Sequence, residues 1–76
     1  MTMTDEDWQE KAKGLLKAEL AKRGIGYKRL AMQLSNIGIE ETDRNIANKV
    51  SRGGFSAVFL LQCLAAINCT SLHLDA

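Results

Sequence analysis

The chain has 76 residues, 46% of them hydrophobic and 25% charged, with a formal net charge of +1. That length allows one domain with a small core, for which a second copy is a natural source of extra burial. The ordinary composition excludes wholesale disorder, and no apolar run is long enough to span a bilayer.

No proline interrupts the chain, and four segments show helical periodicity. The first is expected over about residues 5–23. Thr4 is its N-cap, with Asp7 in a capping-box position. Asp5, Glu6 and Asp7 suit the positive end of a helix, and Lys22 and Arg23 the negative end. Trp8, Ala12, Leu15, Leu16 and Leu20 form its inward stripe, with Trp8 as a core anchor. Gly24 ends it.

The second helix is expected over about 27–37, with Leu30, Ala31, Leu34 and Ile37 inward and Gly38 as its stop. The third spans about 43–52, with Thr42 as N-cap, Ile46 and Val50 inward and Gly53-Gly54 closing it. Phe55 then plugs the core. The fourth spans about 57–67 after Ser56. Its run "AVFLLQCLAAI" is apolar on nearly every side, which implies burial all round in a bundle centre or a subunit interface. Asn68 takes the left-handed position at its end. The tail "CTSLHLDA" alternates as a short extended segment would. The expected architecture is one all-α domain over 1–76, a four-helix bundle-like fold.

Asp5-Glu6-Asp7 is acidic where a signal peptide would be basic, so a cytoplasmic location is expected. Cys63 and Cys69, with five residues between them, have neither knuckle nor redox spacing and are expected as free thiols. Charge is unevenly spread. Residues 22–52 carry a net +4 and the flanks a net −3, as suits a chain with one phosphate-facing side.

The stretch "TDRNIANKVSRGGFS", residues 42–56, raises the functional question. Together with "GYKRLAMQL", the turn "GIE" and the closing "FLLQCLAAIN", it resembles the repressor-type helix-turn-helix of phage repressors and their bacterial relatives. The match covers roughly residues 14–68. It rests on Leu30-Ala31, Leu34, Gly38-Ile39, Ile46, Val50, Arg52-Gly53 and the segment from Leu60 to Asn68. One departure is plain: Ser35-Asn36-Ile37 and Glu40-Glu41-Thr42 lengthen the turn relative to that family. The whole chain is also similar to a family of short bacterial proteins of unknown function, which shares the pattern "KAKGLLKAEL", "NK.SRG.FSA" and "LQCL.AI".

The resemblance implies a DNA-reading third helix. With Ile46 and Val50 inward, that helix offers Arg44, Asn45, Asn48 and Lys49 outward. Asparagine pairs bidentately with adenine and arginine with guanine. Arg52 meets phosphate. Tyr27, Lys28 and Arg29 begin the second helix, where the family contacts phosphate or the first base pair, beside free N–H groups. Tyr27 is either a phosphate-contacting hydroxyl or a packed ring. Glu40, Glu41 and Asp43 oppose this reading, because phosphates repel them. They turn away from DNA, pair with Arg44 or Lys28, or mark a face that meets a basic protein patch.

Other constellations are weak. Cys63, Cys69 and His73 lack a fourth metal ligand. A cysteine–histidine catalytic pair would have only Asp75 as orienting acid. Gly24-Ile25-Gly26 lacks the context of a phosphate loop. No enzymatic activity, cofactor, small-molecule ligand or membrane association is expected. The expected partners are double-stranded DNA and a second copy of the chain. Trp8, Leu15 and Val58 or Phe59 form one candidate dimer surface, and Leu72 with Leu74 another. The alternative is a protein–protein interaction module on the same scaffold without DNA binding.

Overall fold

The computed structural model describes residues 2–74 and contains four helices. They are α1 (Asp5–Lys22), α2 (Tyr27–Asn36), α3 (Asp43–Arg52) and α4 (Ala57–Ala66). The fold is all-α, and no strand occurs among the described residues. The expected helix ends hold to within one residue, because each falls at a residue that caps it.

The capping logic is repeated along the chain. Thr4 and Asp7 form a full capping box at the start of α1. Thr42 accepts from the Asn45 N–H, and Ser56 from the Phe59 N–H. Three helices end in the same Schellman motif. Ile25, Ile39 and Cys69 donate their N–H groups back to the carbonyls of Leu20, Leu34 and Leu64, each at 2.9 Å. Gly24, Gly38 and Asn68 hold the intervening left-handed position. Each motif turns an apolar side chain into the core straight after its helix ends, so the links stay short.

α2 packs against α3 and α4, and α1 against α3. Leu16, Leu30, Leu34, Ile46, Val50 and Cys63 are fully enclosed between them. Phe59 meets Phe55 edge-on at 5.6 Å, so Phe55 does help to close the core. The molecule measures 42 × 22 × 20 Å. α1, at 18 residues, is about 27 Å long and forms much of the long axis.

Two expectations about burial fail, and a third holds on one side only. Trp8 is 56% exposed and anchors no core, since residues 2–10 are all exposed and burial on α1 is complete only at Leu16. Ile37 is exposed, because it caps α2 and its successor Ile39 takes the inward role. Within one chain α4 is no bundle centre, and its outer face is left for the subunit-interface alternative. Its inner face carries Phe59, Cys63 and Ala66, while Val58 and Leu61 are 63% and 65% exposed. One layer of neighbouring helices covers only one side of α4. The tail after Cys69 is irregular, with Leu72 against the core and His73 exposed. Met1 and Asp75 lie outside the described residues.

Candidate nucleic-acid interface

α3 presents its polar residues to solvent because Ile46 and Val50 turn its opposite face inward. Arg44, Asn48 and Arg52 follow one another at i, i+4 and i+8, so they form one row along the helix. Asn45 and Lys49 lie beside that row. All five are exposed.

Asn45, Asn48, Lys49 and Arg52 line one open cleft of about 560 Å³. The opposite wall is formed by Gln9 of α1, with Gly54 and Phe55 from the turn after α3. Gln9 was not legible as a site residue: it stands 36 positions before Asn45, on a helix turn with no motif of its own. Its placement follows from Gly53. That residue has φ +70°, and a β-carbon built on it would lie 2.7 Å from the Gln9 carbonyl oxygen. One turn further along α1, Lys13 Nζ donates to the Ser51 carbonyl at 3.3 Å. This cation meets the last turn of α3, where unpaired carbonyls leave partial negative charge.

Lys49 is already engaged within the fold. Its ammonium pairs with the carboxylate of Glu41 and lies 4.8 Å from the centre of the Phe59 ring. Glu41 thus partners Lys49, and not Arg44 or Lys28, whose pairing was one of the alternatives for this acidic edge. Asp43 accepts from the Arg44 N–H, and Thr42 from that of Asn45, so the first turn of α3 is occupied. Beneath this cluster lies the Cys63 thiol. Burial pushes it up to about 12, the Glu41 carboxylate adds to the rise, and Lys49 opposes it.

The start of α2 is separate from this cleft. Lys28 and Arg29 are exposed, while Tyr27 is half-buried with its ring packed against the core. Tyr27 also lines an apolar pocket of about 220 Å³ with Leu20, Ala21 and Ile25. Gly26 is the N-cap, and no side chain caps this helix. No acidic residue stands in its first turn.

Cys69 Sγ lies 3.6 Å from Glu19 and 3.1 Å from the Ser71 carbonyl. Among the described residues no three His, Cys, Asp or Glu side chains converge as a metal site would require. No helix among them is long and apolar enough to cross a membrane.

With this geometry in hand, residues 8–72 match a family described as a domain of unknown function, DUF6471. The chain belongs to that family. The match spans α1 from Trp8 through the core-packed Leu72, so it takes in the cleft and the start of α2 alike. No curated protein and no solved structure matches the chain.

Proposed function

We propose that this protein is a small cytoplasmic DNA-binding regulator without enzymatic activity. In this reading α2 and α3 act as a helix-turn-helix pair joined by the connection 37–42, with α3 as the reading helix. One observation carries it: the start of α2. The other three helices each begin with a hydroxyl cap that receives a backbone N–H. α2 begins with Gly26 and no side-chain cap. It also places Lys28 and Arg29 at its positive end, where cations are disfavoured by the helix dipole. A phosphate docked there satisfies the free N–H groups and offsets the charge at once. The outward row of α3 then supplies the base contacts through Arg44, Asn45 and Asn48. Arg52 adds phosphate affinity, and Lys49 adds less because Glu41 already faces it.

The protein acts as a dimer in this reading, with two copies of α3 in successive major grooves about 34 Å apart. The second copy meets the outer face of α4. That helix is the one of the four without a charged residue. Its exposed Leu61 stands midway between Ala57 and Ala65, one turn either side. Two such faces related by a twofold axis place each Leu61 against the other's alanines, which makes the face self-complementary.

The test is fluorescence anisotropy with a random duplex pool at two salt concentrations. Binding should weaken with salt at a log–log slope of about −0.9 per phosphate contact. Lys28→Ala and Arg29→Ala should each make that slope shallower by about one unit. Absence of binding at low salt rejects the reading. A second reading is a protein-interaction module. It is favoured by Trp8, a large apolar ring left exposed on the projecting start of α1. It expects no salt-steep affinity for any duplex.

A further inference from the structure

The cleft beside α3 contains a residue that belongs to neither helix of the proposed DNA-binding pair. Three of its lining side chains are carboxamides: Gln9, Asn45 and Asn48. A carboxamide carries a donor and an acceptor side by side. Adenine shows the matching pair in the major groove, the N6 donor and the N7 acceptor, whereas guanine shows two acceptors there. Uncharged carboxamides add no phosphate attraction, so gathering three of them in one exposed cleft suits base selection better than bulk affinity. Arg52, on the same wall, supplies the charge.

We propose that Gln9 is a base-reading residue, and that with Asn45 and Asn48 it selects adenine-containing sites in duplex DNA. This rests on the DNA-binding reading above. α3 has ten residues and is about 15 Å long. A major groove is about 12 Å wide. From Asn45 to Arg52 the helix rises only about 10 Å, less than that width, so a duplex that engages Asn45 and Asn48 also reaches the turn of Arg52, where Gln9 lies. The backbone that carries Gln9 is also held in register, as the support of a reading residue must be. The α3 end seats on its backbone at Gly53, and Gln9 Nε2 lies 3.4 Å from where a Gly54 β-carbon would stand. The Lys13–Ser51 bond fixes the next turn.

The experiment is binding-site selection from a random duplex pool, followed by anisotropy on the selected duplex. The parent should select adenine at fixed positions. Gln9→Ala should lose preference at one of those positions by about 5- to 150-fold, with the salt slope unchanged. The fold survives this change, because the contact with Gly53 is made by the Gln9 backbone. A second arm leaves the protein untouched. 7-Deazaadenine at the same position removes the N7 acceptor and should lower parent affinity, with no further loss in Gln9→Ala. If Gln9→Ala discriminates as the parent does, or 7-deazaadenine binds the parent like adenine, the proposal fails while DNA binding stands. If the parent binds no duplex, the DNA-binding reading itself fails.

Discussion

A β-carbon on Gly53 would lie 2.7 Å from the carbonyl oxygen of Gln9 and 3.1 Å from its carbonyl carbon. Such distances are far inside van der Waals contact, and the atoms met are backbone. The end of α3 and the start of α1 thus approach as closely as they do because Gly53 has no side chain. The same residue sits at φ +70°, where a β-carbon is strained in any surroundings. One glycine therefore ends the proposed reading helix and seats it on α1.

Gly53→Ala should accordingly destabilise the fold by about 2–5 kcal/mol, combining left-handed strain with overpacking. Gly24→Ala is the control. It shares the left-handed backbone at φ +64°, but nothing lies within 4 Å of its added carbon. It should cost only about 1–2 kcal/mol. Urea unfolding midpoints check this. Equal losses at the two positions would show that the Gln9 contact carries no weight.

Much of the architecture was legible because local chemistry agreed with the global fold. Thr4, Thr42 and Ser56 start helices where hydroxyls cap, and Gly24, Gly38 and Asn68 end them where left-handed residues allow. The inward pairs Leu30–Leu34 and Ile46–Val50 follow from helical spacing alone. What periodicity does not contain is which apolar residues find a neighbour. Trp8 has the right phase on α1 but stands beyond the end of the core. Val58 and Leu61 lie on the side of α4 that no other helix covers. The polar row of α3 was readable from the phase of Ile46 and Val50. Gln9 was not, because its place depends on a tertiary approach between distant segments.

Freeing Lys49 should strengthen the proposed DNA binding. Its partner Glu41 has a side chain only 10% exposed, against 45% for Lys49. Glu41→Gln keeps the volume and removes the opposing charge. Low-salt affinity for a random duplex should rise, and the log–log salt slope should steepen by about 0.9. Stability should fall by about 0.2–1 kcal/mol, as for a half-exposed ion pair. An unchanged slope would mean that Lys49 faces no phosphate.

Leu61→Glu should convert the proposed dimer to a monomer without unfolding it. The side chain is 65% exposed, so its replacement costs the monomer little. In the dimer the new carboxylate would be buried, unpaired, against the other copy's alanines, which opposes association. Sedimentation velocity of parent and variant decides the matter. A monomeric parent, or a variant as dimeric as the parent, would remove α4 from the interface.

Acid should expose the role of Glu19. This buried carboxylate accepts from Arg23 Nη1 at 2.7 Å and Lys22 Nζ at 3.3 Å. The Arg23 guanidinium first, and then Lys22, hold it below the usual carboxylate value of 4.5, against a smaller opposing effect of burial. A depressed folded value adds stability that is present above 4.5 and lost as pH falls through the folded value. Urea midpoints measured downward from neutral pH should drop more steeply for the parent than for Glu19→Gln. Parallel declines would mean that the pair titrates alike in folded and unfolded chains.

The two thiols should separate by reactivity. Cys63 is fully buried on the inner face of α4, and burial raises it from 9.0 to about 12. The thiolate is the nucleophile, so Cys63 should be inert to an aromatic disulfide reagent at neutral pH. Cys69 is half-exposed after the end of α4 and should react in the native state. One fast thiol is therefore expected, and two after unfolding. The same shift has an alkaline consequence. The unfolded chain loses its Cys63 proton first, so this contribution is intact below 9.0 and is lost as pH rises toward 12. Cys63→Ala should flatten that decline while lowering stability at neutral pH through the lost packing. If Cys63 reacts as fast as Cys69 in the native protein, α4 opens too readily for its inner face to be a packed core.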